Sequence, residues 1–143
     1  MALQIAQREM EGIAILDLQG SITFGEDCIK LWGALDALRK AGKINVILNL
    51  KEAGDIDSEG LGVLASGLAK FRKCGGNLAL VNLDRTHLEL LVLTKLAVAF
   101  ELFEDEREAV NSFFPGRGTK RYDILQFVEE QAAKARASHQ GKA

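Results

Sequence analysis

The stretch INVILNLKEAGDIDSEGLGVLASGLAKFRKCGGNLALVNL, from Ile44 to Leu83, places two short apolar runs on either side of a helical pattern. The first run covers 44–50 and the second covers 77–83, and both are rich in aliphatic and β-branched residues, as buried strands are. The apolar residues that recur between them at helical spacing are Leu61, Leu64, Leu68 and Phe71. A strand, a helix and a second strand in this order are typical of a parallel crossover unit, so the stretch predicts an α/β fold.

The residues before this stretch predict a hairpin and a helix. A strand is expected over IAILDLQG (13–20) and a shorter one around Leu3 and Ile5, with a polar turn at 9–12 between them. Two strands joined by a tight turn pair in the antiparallel sense. The apolar residues that follow at helical spacing are Cys28, Leu31, Leu35 and Leu38. Gly42 then marks the end of this helix.

The residues after the stretch continue the alternation as far as position 113. Thr86-x-x-Glu89 has the pattern of a capping box and predicts that a helix begins there. A short strand is expected over 98–103 and a helix over about 105–113. The whole pattern predicts a mixed sheet with most of its helices on one side.

Pro115, the single proline of the chain, lies in the segment FFPGRG and interrupts this pattern. We therefore expect one domain over residues 1–114 and a C-terminal extension over 115–143. The periodicity of the extension predicts an amphipathic helix over 122–137, and the tail from 138 onward is expected to fray.

Two arrangements are open for the helix of the extension. Leu125 and Val128 form one of its apolar sides. They can pack on a second apolar face of the preceding helix, formed by Leu90, Leu93 and Ala97, or they can form the contact of a homodimer.

Length and composition limit the classes of function. The chain has 143 residues, of which 48% are apolar and 27% charged, as in a single soluble domain. A net charge of −2 supplies no cationic surface for nucleic acid, and the apolar runs are too short to span a membrane. Residues 1–7 lack the pattern of an export signal, so a cytoplasmic location is expected. Cys28 and Cys74 have no metal-ligand spacing, and with His87 and His139 as the only histidines we expect neither a metal nor a cofactor.

The segment GDIDSEGLG (54–62) raises the question of what Ser58 does. A catalytic serine needs a base and oxyanion donors, but the pattern is not Gly-x-Ser-x-Gly and no motif links a histidine to it, so no enzyme activity is expected. The segment also lacks the lysine and the glycine spacing of a P-loop. A structural role is open, because Ser58 can cap the following helix while Asp57 and Glu59 suit the positive end of the helix dipole.

The small residues around Ser58 indicate a role in contact with another protein. Gly60 and Gly62 both lie in the first turns of the predicted helix, where each glycine costs about 0.5–1 kcal/mol relative to alanine. Ser66 continues the strip of small side chains. A shallow surface beside an exposed hydroxyl favours close approach by a partner.

The same stretch resembles the central part of a STAS domain, as found in bacterial anti-sigma factor antagonists. In that family a strand with an end like Leu-Asn-Leu precedes Asp-Ser-x-Gly-Leu-Gly-x-Leu and a helix, and here the match is DSEGLGVL (57–64). The later segments GGNLALVNL and LLVLTKLAVAFELFEDEREAVNSF are also similar, so the resemblance covers about residues 3–113. It implies a STAS-like α/β fold with a mixed sheet of four to five strands and about four helices, to which this chain adds a C-terminal helix.

The resemblance implies a function in partner switching. In that family the serine after the aspartate is phosphorylated by a GHKL-type serine kinase that is also the anti-sigma factor. The unphosphorylated antagonist binds this kinase and releases the sigma factor, and a serine phosphatase resets the system. Carried over to this chain, the phosphorylation site is Ser58. The partner-binding residues are then Asp57, Ser58, Glu59, Gly60, Leu61, Gly62 and Ser66.

Two residues depart from the family pattern. Thr23 lies where family members often carry an acidic residue, and Glu59 lies where serine or threonine is common. The resemblance also leaves a second class open, because STAS domains serve as unphosphorylated accessory or scaffold modules of transporters and signalling complexes. A third class, the serine hydrolases, predicts covalent labelling of Ser58 by a fluorophosphonate.

Overall fold

The computed structural model describes residues 2–140, which form a five-stranded sheet and five helices. The elements in chain order are β1 (Gln4–Met10), β2 (Ile13–Ile22), α1 (Glu26–Lys40), β3 (Asn45–Ile56), α2 (Ser58–Lys73), β4 (Asn77–Val81), α3 (Arg85–Leu93), β5 (Glu101–Phe103), α4 (Glu106–Asn111) and α5 (Ile124–Gln140). The predicted α/β class is confirmed.

The strands lie in the sheet in the same order as in the chain. β1 is antiparallel to β2, and β3, β4 and β5 each run parallel to the strand before them. Crossovers between parallel strands are right-handed, so three steps in one direction place α1, α2 and α3 on the same face. The mixed sheet predicted from the alternation is confirmed.

The two faces of the sheet carry cores of different size. The larger core lies under α1, α2 and α3 and includes Leu48 of β3 and Phe71 of α2. The smaller one lies on the opposite face, where Val110 of α4 packs with Ile47 and Phe103. Neighbouring strand residues 47 and 48 belong to different cores because side chains alternate across a strand. None of the helices in the described range 2–140 is long and apolar enough to cross a membrane.

Strand β3 is longer than its apolar run predicts. The run ends at Leu50, but pairing with β2 continues to Ile56 through Glu52↔Gln19, Ala53↔Gly20 and Ile56↔Ile22. Two register shifts interrupt this pairing. Among residues 51–55 only Ala53 is buried, so the strand conformation here depends mainly on backbone pairing with β2, which the local sequence pattern does not reveal.

The capping box of α3 lies two residues before the predicted one. Asp84, not Thr86, is the N-cap residue: its carboxylate Oδ1 accepts the backbone N–H of His87 at 2.8 Å. The His87 side chain forms the second bond of the capping box, since its Nδ1 accepts the backbone N–H of Asp84 at 3.3 Å. The prediction at Thr86 and Glu89 was wrong because imidazole here takes the place of the usual glutamate or glutamine.

Helix α5 packs on the domain through a different side chain from those predicted. Phe127 is buried in the larger core, whereas Leu125 and Val128 remain 66% and 39% exposed. Just before the helix, the backbone N–H of Tyr122 donates to the carbonyl of Leu102 at 2.8 Å, and Tyr122 and Ile124 pack against the same core. Residues 138–140, expected to fray, continue the helix, and residues 141–143 lie outside the described part of the chain.

Candidate functional site

Ser58 lies at the point where β3 ends and α2 begins. It is the first residue of α2, one position after the N-cap residue Asp57 and two after Ile56, the last residue of β3. The pairing of Ile56 with Ile22 brings the end of β2, and the loop that leads from it into α1, beside the start of α2. The site is therefore built from two strand ends and two helix starts.

Asp57, rather than Ser58, caps α2. Its backbone is extended and its Oδ1 accepts the N–H of Gly60 at 2.9 Å, which satisfies one of the free donors of the first turn. The structural role considered for Ser58 is thus taken by its neighbour. Because an aspartate already fills this role, the serine hydroxyl is not needed for capping.

The second oxygen of Asp57 connects α2 to the loop before α1. Its Oδ2 accepts the backbone N–H of Phe24 at 2.8 Å. The N–H donors of Gly60 and then Phe24 stabilise the charged form and hold the pKa of Asp57 below its usual value. One carboxylate therefore sets the position of both segments beside Ser58.

The hydroxyl of Ser58 is exposed, and within residues 2–140 it has no hydrogen-bond partner. His87 is not available to it as a base, since its ring is buried and its Nε2 lies 2.8 Å from the carbonyl oxygen of Gly54. The side chain of His139 lies outside the described residues. The described site thus offers Ser58 as an accessible acceptor group and supplies no base to it.

The residues predicted to contact a partner divide between surface and interior. Four of them are exposed: Ser58, Glu59, Gly62 and Ser66. Gly60 and Leu61 are buried instead. They shape the site from beneath rather than lining its surface.

Gly60 is constrained by packing inside the domain. A Cβ at this position would lie 2.2 Å from the carbonyl oxygen of Ile22, so the glycine permits close contact between α2 and β2. At Gly62, by contrast, a Cβ would meet nothing within 4 Å. Of these two glycines, only Gly62 leaves the exposed side of α2 without a side chain.

Thr23 lies where the family that the sequence resembles often has an acidic residue, and it bonds to a carboxylate instead of supplying one. Its hydroxyl donates to Oδ2 of Asp27 at 3.1 Å, and Oδ1 of Asp27 accepts the N–H of Leu3 at 3.0 Å. These donors hold the pKa of Asp27 below its usual value, with the Leu3 N–H as the main cause. Asp27, in the first turn of α1, therefore fastens the segment before β1 to this helix.

Two features of the site were missed in the sequence. Phe24 is 77% exposed although it is a large aromatic residue, and its backbone is bonded to Asp57. His87 is buried and joins the start of α3 to the end section of β3 at Gly54. An aromatic residue between a strand end and a glycine, as in ITFG, is a signal that could have found Phe24; the contact of His87 has no local signal.

No group of three or more His, Cys, Asp or Glu side chains within the described residues is arranged to hold a metal ion. Cys28 lies near the carboxylates of the site but is buried. Burial first, and then the charges of Asp57, Glu59 and Asp27, raise the pKa of its thiol.

Comparison with known proteins agrees with this architecture. The family model of the STAS domain matches residues 4–109. No curated protein sequence matches the chain.

Several solved structures share the fold at low sequence identity. An anti-sigma factor antagonist from Mycobacterium paratuberculosis is 20% identical over 78% of this chain and 94% of its own, with a TM-score of 0.71. The Bacillus cell fate determinant SpoIIAA in its phosphorylated form is 17% identical over 78% of this chain and 98% of its own, with a TM-score of 0.60. A sulfate transporter family protein from Wolinella succinogenes is 23% identical over 63% of this chain and 72% of its own, with a TM-score of 0.55.

Proposed function

The chain belongs to the STAS domain family, and from this premise we propose that it is an anti-sigma factor antagonist that switches partners through phosphorylation of Ser58. In its unphosphorylated form it binds a GHKL-type serine kinase that is also an anti-sigma factor, and the sigma factor is released. A serine phosphatase restores this form. The fold shared with anti-sigma factor antagonists supports this assignment at the level of the family.

The observation that carries the proposal is that Asp57, and not Ser58, caps α2. Asp57 caps α2 through Gly60, so the neighbouring hydroxyl is exposed and unbonded within the described chain. A kinase can therefore reach Ser58 without breaking a bond that holds the helix. Transfer breaks the β,γ P–O bond of ATP, forms a bond from phosphorus to Ser58 Oγ, moves the hydroxyl proton to a base of the kinase and leaves ADP.

Electrostatics explains why the phosphorylated form leaves the kinase. A phosphoserine carries about −1.5 to −2 charges, and the start of a helix tolerates this charge through its dipole and free N–H groups. The new charge faces the phosphates of ADP in the kinase, and the carboxylates of Asp55, Asp57 and Glu59 add to the repulsion. The domain stays folded while its surface becomes incompatible with the partner.

The remaining assignments follow from this role. The chain is a substrate of its partner and not an enzyme, and it acts on transcription in the bacterial cytoplasm without contacting nucleic acid. It has no need of a cofactor or a metal. Glu59 adds a negative charge beside the acceptor and tunes which kinase accepts this substrate.

The test is a kinase reaction with labelled ATP and purified GHKL-type serine kinases from the same genome. We expect the wild type to incorporate one phosphate and Ser58→Ala to incorporate none. Thr86→Ala is the matched control, since Thr86 is an exposed hydroxyl residue on α3, outside the residues predicted to contact the partner. Undiminished labelling of Ser58→Ala would remove Ser58 from the role.

An accessory module of a transporter is the second candidate, favoured by the fold shared with the Wolinella sulfate transporter family protein. A pull-down with the wild type and Ser58→Asp separates the two candidates. An ATP-binding kinase retained by the first and lost by the second supports the switch. A transporter subunit retained equally by both supports the accessory role.

We further infer that the chain forms a homodimer through α5. Leu125 on α5 and Leu93 at the end of α3 are 66% and 80% exposed. Between these helices lies a groove of about 310 Å³. It is lined by Glu89, Val92, Leu93, Phe127, Val128 and Gln131. The same surface thus offers both protruding leucines and a groove, as a two-fold interface requires.

The charges of α5 favour an antiparallel pairing of two copies. Glu129 and Glu130 lie in its first half, whereas Lys134 and Arg136 lie in its second half, and all four are exposed. An antiparallel arrangement places the acidic half of one helix against the basic half of the other.

Sedimentation tests this arrangement with the chain alone. We expect the wild type to have twice the mass of the 15.6 kDa chain. The pair Glu129→Lys/Glu130→Lys and the pair Lys134→Glu/Arg136→Glu should each be monomeric, and a mixture of the two variants should dimerise again. A monomeric wild type would contradict the inference.

A further inference from the structure

We propose that Phe24 is the aromatic anchor through which this chain binds its partner kinase, and that the kinase offers it an apolar pocket with a rim of lysine or arginine side chains. The inference rests on the proposed function, since it names the partner surface next to Ser58. It adds to that function a residue outside the motif, on the loop between β2 and α1.

The exposure of Phe24 requires an explanation. Its side chain is 77% exposed, and Ile29, in the second turn of α1, is 71% exposed. Burying an aromatic ring against a partner removes a large apolar area from water. Aromatic residues, moreover, contribute most to binding when they enter a partner's pocket.

The loop holds Phe24 in a defined position. Its N–H donates to Asp57 Oδ2 at 2.8 Å, and the hydroxyl of the preceding Thr23 donates to Asp27 at 3.1 Å. The following Gly25 has a φ of +99° and is the N-cap residue of α1. A residue fixed on both sides loses little backbone freedom on binding, so the loop is already ordered for contact.

The charges around Phe24 indicate the chemistry of the partner. Glu26, Asp55 and Glu59 are exposed carboxylates on the three segments that meet here. The bond from the Phe24 N–H to Asp57 Oδ2 holds the loop before α1 against the start of α2, where Glu59 lies. A partner that surrounds the Phe24 ring must therefore present cations toward these carboxylates.

The position of Phe24 also explains how one phosphate can act on this contact. Asp57 is bonded to the backbone of Phe24 and adjoins Ser58 in the chain, so the two residues are held on one surface. A kinase that seats Phe24 has its nucleotide opposite Ser58. After transfer, phosphoserine and ADP repel each other while Phe24 holds them close, and the complex separates.

Calorimetry with each purified GHKL-type serine kinase of the same genome tests the proposal. Binding to the wild type that is lost in Ser58→Asp identifies the kinase. With this kinase we expect Phe24→Ala to raise Kd on the order of 30-fold or more, as for an anchor residue. Val98→Ala is the matched control, because Val98 is an 88% exposed apolar residue on another segment, and its Kd should stay within about twofold of the wild type.

Two further measurements separate the possible outcomes. Circular dichroism and thermal melting of Phe24→Ala should match the wild type, since the ring makes few internal contacts. Binding should weaken as salt concentration rises, and Glu26→Gln/Glu59→Gln should make this dependence shallower. Unchanged binding of Phe24→Ala, with Ser58→Asp still inactive, would overturn the inference and leave the proposed function standing. If none of the kinases bound the wild type, both would fail.

Discussion

At the scale of single residues, Gly60 and Gly62 show how two similar positions carry different constraints. A Cβ on Gly60 would lie 2.2 Å from the carbonyl oxygen of Ile22 and 3.1 Å from Cγ2 of Ile56, but one on Gly62 would meet nothing within 4 Å. The first glycine is required by contact between α2 and the strand ends. The second serves only the surface beside Ser58.

We therefore expect opposite effects of alanine at these two positions. Gly60→Ala should lower the free energy of unfolding by about 1–3 kcal/mol, because backbone has to move away from the new methyl group. Gly62→Ala should raise it by about 0.5–1 kcal/mol, as alanine favours a helix. Urea denaturation followed by the fluorescence of Trp32 measures both, and equal midpoints for the two variants would contradict the packing described for Gly60.

At the scale of elements, His87 connects two segments beside the site, the start of α3 and the end section of β3. Its ring bonds to the N–H of Asp84, which completes the cap of α3, and to the carbonyl of Gly54 in β3. Since Nδ1 accepts a hydrogen bond, the proton is on Nε2, which donates to Gly54. The section of β3 that leads to Asp57 is thus supported from α3 as well as from β2.

Replacing His87 by alanine should therefore weaken more than α3. We expect a loss of about 2 kcal/mol in the free energy of unfolding, because two backbone groups lose their partner and a buried volume is left empty. Hydrogen exchange should also become faster at the start of α2. Thr86→Ala is the control on the same helix: Thr86 is exposed and makes no side-chain hydrogen bond within the described residues, so its change should stay below about 0.5 kcal/mol. Similar losses in both variants would argue against the link through Gly54.

At the scale of the whole molecule, carboxylates join segments that are distant in the chain. Asp17 on β2 pairs with Arg8 on β1, and Arg8 also pairs with Glu106 at the start of α4. Bonds to Arg8, and then to Asn49, hold the pKa of Asp17 below its usual value. Asp27 and Asp57 have lowered pKa values for the reasons given above.

These carboxylates predict that the fold is sensitive to acid. A carboxylate with a lowered pKa contributes stability above the pKa of the unfolded chain, about 4, and loses it as the pH falls through the lower folded value. We expect the urea midpoint to be level near neutral pH and to fall below about pH 4. Asp17→Asn should be less stable than the wild type at pH 7 but should lose less on acidification. An identical pH dependence in the two proteins would contradict a role for Asp17.

Much of the fold was accessible from local patterns in the sequence. The spacing of Leu61 to Phe71 and the apolar runs on either side depend only on neighbouring residues, and the elements they predicted were confirmed. The extension of β3 to Ile56 could not be predicted from the local sequence, because it depends on pairing with β2. The packing of Phe127 was missed for a similar reason, since the phase of α5 is set by contacts with the rest of the domain.

The candidate site was likewise predicted only in part from the sequence. The chain's own residues were sufficient to select the segment around Ser58, because the order of Asp57, Ser58 and the glycines is a local motif. Only the folded molecule assigns the cap to Asp57, buries Gly60 and brings Phe24 beside the serine. These assignments join residues up to 38 positions apart (Ile22 and Gly60), and such contacts come from the pairing of strands and the packing of helices, which no short stretch of sequence contains.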